Sequence, residues 1–117
     1  PYTIEDGAHA FRKLMHGKKK PTAVICGNDV LAVGAICEAK RMGLRVPEDV
    51  SITGFDDIDL ATVVDPPLTT VHVPHRRMGQ AAARILLNRM TGINQSGSVE
   101  FETEIVERGS LGPAPSK

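Results

Sequence analysis

Residues 23–43 read AVICGNDVLAVGAICEAKRMG, and this stretch decides the fold. A short apolar run with β-branched residues predicts a buried strand, and Asn28 and Asp29 then cap a helix that ends at Gly43. Parallel α/β sheets bind ligands at the carboxyl ends of their strands, where the helices leave a crevice open. The polar pair is therefore placed to contact a ligand.

Length and composition favour a soluble globular domain. The 117 residues are 41% apolar and carry a formal net charge of zero, so the whole chain has no charge excess that would attract DNA or an anionic membrane. No apolar run approaches the roughly 18 residues that suggest a membrane span, and the first residues lack the pattern of a signal peptide. The sequence predicts a protein without a membrane partner.

The two cysteines, Cys26 and Cys37, are too far apart for a C-x-x-C motif and lie in segments predicted to be buried. They are expected to be packed free thiols, which fits a reducing, cytoplasmic setting. The chain also starts at Pro1, and its first predicted element is a helix without a preceding strand. We therefore expect a piece of a longer polypeptide.

Alternating apolar strands and helices run through the chain. Thr3 and Asp6 resemble a capping box at the start of a first helix over 4–16. The other predicted elements are a strand over 22–26, the helix over 29–42, a strand over 50–55, a weak helix over 58–64, a strand over 68–73, an amphipathic helix over 74–91 and an edge strand over 99–106. This order predicts an α/β fold with a three-layer, mostly parallel sheet of four strands.

The helix over 29–42 is apolar almost all the way round, whereas a helix that covers one side of a sheet needs a single apolar stripe. This excess of apolar surface predicts that the helix packs against a second partner besides the sheet. Another subunit and the interior of a larger domain explain the pattern equally well.

Sequence signatures of common enzymes and cofactor sites are missing. The chain has no G-x-G-x-x-G, no Walker A loop, no G-x-S-x-G and no His/Cys spacing suited to zinc. Its four histidines are interpreted as surface or structural residues. We expect no catalytic residue, no metal and no cofactor, and hence a protein that is not an enzyme.

Polar residues at two strand ends remain as the candidate site: Asn28 and Asp29 after the first strand, Asp56 and Asp57 after the second. A helix cap explains Asp29 and Asp57 fully, whereas ligand contact is favoured for Asn28 and Asp56. An amide that donates and accepts, beside a carboxylate that accepts, suits sugar hydroxyls or the N–H edges of a base. A phosphoacceptor site would need a lysine at a later strand end, and none occurs between Arg41 and the tail.

With these residues in view, the chain resembles the effector-binding domain of the lactose-repressor/galactose-repressor (LacI/GalR) family of bacterial regulators. The similar stretches cover most of the chain in order: PTAVICGNDVLAVGA from Pro21, GLRVPEDVSITGFDD from Gly43, PLTTV from Pro67, the helix with Gly79, and ERGS from Glu107. One such stretch would be weak, but the ordered series is specific.

The resemblance implies a periplasmic-binding-protein-like fold of two lobes. Residues 1–110 would form the C-terminal lobe, including the helix over 74–91 that normally packs on the other lobe, and residues 111–117 a flexible tail. The effector would be bound by Tyr2, which would stack on it, together with Asn28 and Asp56. The helix that begins at Asn28 would lie in a homodimer interface, which we assign to Val30, Val33 and Cys37.

In this family the effector binds between the lobes and changes the spacing of the DNA-binding heads. The resemblance thus implies the effector-sensing part of a transcriptional regulator, with a sugar or nucleobase as effector and with DNA contacted only through an N-terminal head that would precede Pro1. A periplasmic sugar-binding protein of a transport system is the alternative, because it shares the fold. The RVPEDV and PLTT stretches favour the regulator.

Overall fold

The computed structural model describes residues 2–93 and 97–116. Residues 1, 94–96 and 117 lie outside the described residues. Residue 1 is the first of the predicted lobe, and residue 117 is the last of the predicted tail. The helices and strands are α1 (Ile4–Met15), β1 (Ala23–Ile25), α2 (Asp29–Arg41), β2 (Ser51–Thr53), α3 (Leu60–Val63), β3 (Thr70–His72), α4 (His75–Met90) and β4 (Glu104–Val106). Every predicted element is present in the predicted order, and the strands are shorter than predicted.

The helix ends follow the residues that the sequence marked. Thr3 and Asp6 form a capping box at the start of α1, with each side chain bonded to the other residue's backbone. Gly43 adopts a φ of 73°, a left-handed conformation that ends the path of α2 at little steric cost.

The strands form two two-stranded sheets, β1-β2 and β3-β4, which isolated parallel bridges join at Thr53–Thr69 and Asp56–His72. Strands β1 and β2 are parallel, with Ile25 paired to Thr53. Strand β3 continues the parallel sheet through backbone hydrogen bonds such as that from Gly54 N to Thr69 O (3.0 Å). Strand β4 pairs antiparallel to β3. The α/β class and the mostly parallel sheet are confirmed, but only 104–106 of the predicted strand over 99–106 joins the sheet.

The hydrophobic core lies between the sheet and α1, α2 and α3. Its fully buried side chains include Phe11, Ile36, Ile52 and Leu68. On the other face Ile25 and Ile105 are 87% and 71% exposed. Helices of the described chain therefore cover one face of the sheet, and a third layer on the other face remains a prediction.

Helices α1 and α2 meet backbone to backbone. A Cβ on Gly7 would collide with the backbone of Leu31, and one on Gly34 would collide with the carbonyl oxygen of Ile4. Glycine at both positions lets the two helices approach closely. Helix α1 thus covers part of the apolar surplus of α2, so at least one of its expected partners belongs to this chain.

Helix α4 projects from this body. The chain measures 61 × 27 × 25 Å, and α4 makes few contacts with the other helices and strands. Of its residues only Ala81 is buried, whereas Met78, Leu86, Leu87 and Met90 are exposed. The predicted apolar stripe therefore exists, and the described part of the chain leaves these four side chains of α4 exposed.

Residues after β4 return to the sheet beside β2. Ser110 is buried, and its hydroxyl donates to Ile52 O (2.6 Å) and accepts from Thr69 N (2.8 Å). Gly112 N donates to Ser51 Oγ (3.1 Å), which attaches the start of the predicted tail.

Candidate functional site

The two polar strand ends lie side by side. Strands β1 and β2 are neighbouring and parallel, and Asn28 and Asp56 each stand three residues beyond the paired Ile25 and Thr53. Asp29 N donates to Phe55 O (3.0 Å), so the two strand ends are joined directly. The structure places Asn28 and Asp56 on adjoining strand ends, and their joint contact with a ligand stays a prediction.

Asn28 is the N-cap of α2. Its Oδ1 accepts from Leu31 N at 2.9 Å, and its side chain is half-buried. The prediction that Asp29 is the cap is wrong. The Asn28 oxygen is occupied by the helix, while its Nδ2 makes no hydrogen bond within residues 2–93 and 97–116 and is the group that a ligand would meet.

Asp29 is fully buried inside the fold. Its Oδ1 accepts from Thr70 Oγ1 (2.5 Å) and its Oδ2 from Ile58 N (2.9 Å). The carboxylate therefore links the start of α2 to β3 and to the loop after β2. No effector can reach it.

Asp56 is the carboxylate that remains accessible at the strand ends. Its side chain is 35% exposed, and His75 Nε2 lies 3.6 Å from its Oδ1, so a protonated His75 would form an ion pair with it. Asp56 and Asp57 both have positive φ, at 110° and 55°. Such conformations cost non-glycine residues on the order of 1–3 kcal/mol each, so they persist only where the surroundings hold them.

Asp57 points away from the strand ends into a charged cluster. Arg108 Nη2 donates to its Oδ1 (2.7 Å), and His72 Nδ1 lies 2.9 Å from its Oδ2. Burial raises the pKa of the Asp57 carboxyl, but the bonds from Arg108 and His72 outweigh it and hold the pKa below its usual value. The prediction that Asp57 caps the short helix is wrong, because the cap position of α3 is held by Asp59 and has no side-chain hydrogen bond.

Sequence reasoning missed Arg108, Thr70 and His75 as neighbours of the candidate site. Arg108 also donates to Leu68 O at 2.9 Å. Fifty-one residues separate Arg108 from Asp57, so no local pattern connects them. The resemblance quoted ERGS, which contains Arg108, but gave the arginine no role.

An apolar groove of about 280 Å³ opens beside the strand ends, on the uncovered face of the sheet. Its lining includes Ile25, Cys26, Phe55, Val71 and Ile105. Burial raises the pKa of the Cys26 thiol to about 11, which keeps it protonated at neutral pH. Both cysteines are free thiols, although Cys37 is exposed and not packed as predicted.

Tyr2 lies just before α1 and is 75% exposed. Helices α1 and α2 run in the same sense, since Gly7 meets Leu31 and Arg12 Nε donates to Glu38 Oε1 (2.7 Å) further along both helices. Ile4, two residues after Tyr2, has its carbonyl oxygen against Gly34, which lies six residues beyond Asn28.

The three residues assigned to a dimer interface differ in exposure. Val30 is half-buried, Cys37 is exposed, and Val33 is 5% exposed within this chain alone. Val30 and Cys37 are seven residues apart and therefore share one face of α2. The exposed apolar area that this face of α2 offers to a second subunit is smaller than the sequence pattern predicted.

Metal-ligand clusters and membrane-length helices are both absent from residues 2–93 and 97–116. These residues contain no group of three or more His, Cys, Asp or Glu side chains arranged to hold a metal ion. None of the helices they form is long and apolar enough to cross a membrane.

Comparison with known proteins gives a family match over nearly the whole chain. The model of the periplasmic binding protein-like domain matches residues 2–111. The HTH-type transcriptional repressor CytR of Escherichia coli K12 is 46% identical over 115 residues, which are 97% of this chain and 34% of that repressor. The chain spans about a third of the length of the curated relatives it matches.

Solved structures agree with this family. The complex of the transcriptional regulator CelR with cellobiose superposes with a TM-score of 0.88 at 33% identity, covering 94% of this chain and 34% of that one. The lac repressor dimer bound to operator and the anti-inducer ONPF gives a TM-score of 0.85 at 30% identity, covering 92% of this chain and 38% of that one. The chain belongs to the periplasmic binding protein-like domain family, and within it to the effector-binding domains of LacI/GalR-family regulators.

Proposed function

We propose that this chain is the effector-sensing part of a bacterial LacI-type transcriptional regulator, in which a small polar molecule binds at Asn28 and Asp56. The observation that carries the proposal is the placement of these two residues at matching ends of neighbouring parallel strands. The Asn28 amide nitrogen and the Asp56 carboxylate would offer a donor and an acceptor to a ligand bound at these strand ends. DNA would be contacted only by a separate head of the regulator.

The effector would be a sugar or a nucleobase. Both classes present adjacent hydroxyl or N–H groups that a carboxylate accepts, and an aromatic ring such as that of Tyr2 packs on either. The cellobiose bound in the CelR structure supports the sugar class. In the complete regulator, Tyr2 would close over the ligand from the start of α1.

A homodimer would form through the α2 face that carries Val30 and Cys37, with Val33 beneath it. The dimeric lac repressor supports this arrangement. Effector binding would then act as a coupling between distant sites, since an effector shifts such a switch by its difference in affinity for the two states.

A regulator rather than a transport protein or an enzyme is favoured by the similar proteins. CytR is a transcriptional repressor, and so are the other curated relatives at similar identity. The periplasmic sugar-binding alternative loses support on this ground, and a cytoplasmic location follows from the proposed role on DNA.

The test is Asp56→Asn in the full-length regulator, compared with Asp59→Asn, an exposed acid in the same loop whose side chain caps no helix. A thermal-shift screen of the wild type against galactose, glucose 6-phosphate, cellobiose, adenine and adenosine identifies a ligand that stabilises the folded state. Operator affinity is then measured by fluorescence anisotropy, with and without that ligand. Asp56→Asn should abolish the response and leave basal operator binding intact, while Asp59→Asn should behave as wild type. A full response from Asp56→Asn would refute the site.

A further inference from the structure

Asp29 is a buried carboxylate with no part in the proposed ligand contact, and it holds the loop after β2 from two points. Its backbone N–H donates to Phe55 O (3.0 Å), and its Oδ2 accepts from Ile58 N (2.9 Å). Residues 56 and 57 lie between these two anchors. The loop that presents Asp56 is therefore fastened on both sides by one residue of α2.

The fastened residues are those with unusual backbone. Asp56 and Asp57 have φ values of 110° and 55°, which side-chain-bearing residues rarely adopt. Asp56 N also donates to Val71 O (3.0 Å), which aligns the loop with β3. Without an acceptor for Ile58 N, the loop would lose the bond that closes it after the second positive φ.

The surroundings of Asp29 are shaped for a carboxylate. Thr70, 1% exposed, donates its hydroxyl to Asp29 Oδ1 at 2.5 Å, so both carboxylate oxygens have a donor. A Cβ on Gly54 would collide with that Oδ1, so glycine on the neighbouring strand makes the space. The first turn of α2 adds the positive end of the helix dipole.

We propose that Asp29 is a positioning residue for the effector site: it holds the Phe55–Ile58 loop so that Asp56 is presented at the strand ends, without touching the effector itself. This inference rests on the proposed function for its consequence on binding, but the geometry of the loop can be tested separately.

The decisive variant is Asp29→Asn in the full-length regulator. Asparagine keeps the shape but has one acceptor oxygen in place of two, so it cannot accept from both Ile58 N and Thr70 Oγ1 as the carboxylate does. The matched control is Ser110→Ala, which removes another fully buried polar side chain, bonded to Ile52 and Thr69 and away from the loop. Thr70→Val, which removes only the donor to Oδ1, is the milder second variant if Asp29→Asn does not fold.

Amide hydrogen exchange at Ile58, followed by NMR, reports the loop directly. Asp29→Asn should speed exchange at Ile58 by at least tenfold relative to the core amides of Ile52 and Leu68, whereas Ser110→Ala should lower global stability, speed exchange at all three amides alike and leave the ratio unchanged. Thr70→Val should raise the ratio by a smaller factor. An unchanged ratio in Asp29→Asn, or in Thr70→Val where only that variant folds, would overturn the proposal.

Affinity for cellobiose and for adenosine supplies the second readout. Asp29→Asn should weaken whichever of these the wild type binds by at least tenfold while the protein stays folded. Asp56→Asn should also lose affinity, but without faster exchange at Ile58. If the wild type binds neither probe, the effector class of the proposed function fails, and the exchange ratio still decides the role of Asp29.

Discussion

Arg108 and Asp57 form a salt bridge between two loops that the sheet alone does not hold together. Arg108 Nη2 lies 2.7 Å from Asp57 Oδ1, and the side chains of Arg108 and Asp57 are 19% and 15% exposed. Arg108 follows β4, and Asp57 follows β2. Partial burial makes this pair matter more than a surface pair, because loss of one partner leaves the other charge poorly solvated.

The first prediction concerns this pair. Arg108→Met should lower the free energy of unfolding by about 2–4 kcal/mol, because it leaves Asp57 without its main partner in a desolvated place. Urea unfolding followed by circular dichroism measures the change. Arg45→Met removes an exposed ion pair with Asp49 and should cost much less. Equal losses in the two variants would show that burial of the Asp57 cluster has no energetic consequence.

A second prediction follows from the close approach of α1 and α2. Gly34→Ala should destabilise the chain by about 1–3 kcal/mol, since a methyl group there meets the backbone of Ile4 and forces the helices apart. The matched control is Gly79→Ala in α4, where a Cβ meets nothing within 4 Å. That variant should stabilise the chain by about 0.5–1 kcal/mol through helix propensity. Denaturant midpoints of the two variants should therefore move in opposite directions.

Acidification gives a third prediction. The hydrogen bond from Arg12 lowers the pKa of Glu38, those from Arg45 lower the pKa of Asp49 to about 2, and the pKa of Asp57 is lowered as well. Groups with a lowered folded-state pKa bind more protons when unfolded, so their stabilisation is complete above the unfolded pKa and is lost as the pH falls through the folded one.

Urea unfolding at pH 7, 5, 4 and 3 should show that the contribution of these carboxylates stays constant down to about pH 5 and falls between about pH 4 and 2. Glu38→Gln removes one of the three groups and should flatten this decline. A decline as steep in Glu38→Gln as in the wild type would exclude the Arg12 pair as a source of the pH dependence.

The exposed stripe of α4 gives a fourth prediction. Met78, Leu86, Leu87 and Met90 form an apolar surface on a projecting helix, so the 117-residue chain should self-associate or exchange this helix between copies. Light scattering across a concentration series should give a mass above 12.6 kDa. Leu86→Lys combined with Met90→Lys should return the chain to a monomer. A strict monomer of the wild type at high concentration would contradict the prediction.

Local patterns predicted the elements, whereas packing decided which polar residue does what. Thr3–Asp6 and Gly43 fix helix ends by bonds and φ angles within a few residues, so the sequence alone located them. At the junction of β1 and α2 the sequence named Asn28 and Asp29 as caps and favoured a purely capping role for Asp29, whereas the structure gives the cap to Asn28. The inward turn of Asp29 depends on the space above Gly54 and on the Thr70 hydroxyl, which are distant in the chain.

Contacts between residues distant in the chain also explain the other differences between the sequence prediction and the structure. Asp57 meets Arg108 only after four strands have paired. Helix α2 needs no second subunit to cover the side that Gly7 and Gly34 bring against α1. The neighbouring positions of the strand ends before Asn28 and Asp56 were predictable because they follow from two parallel strands alone. The residues that hold Asp56 in place were not, since their bonds span the fold.

The return of Ser110 to β2 has a consequence for how the chain is made. Its hydroxyl binds the carbonyl of Ile52, 58 residues earlier, and its own carbonyl accepts from Ile52 N (2.9 Å). A nascent chain can form α1, β1 and α2 while translation continues, but the flank of β2 stays open until residue 110 has left the ribosomal exit tunnel. During that interval, which lengthens when translation slows over the preceding residues, the unfinished sheet is a target for chaperones and proteases.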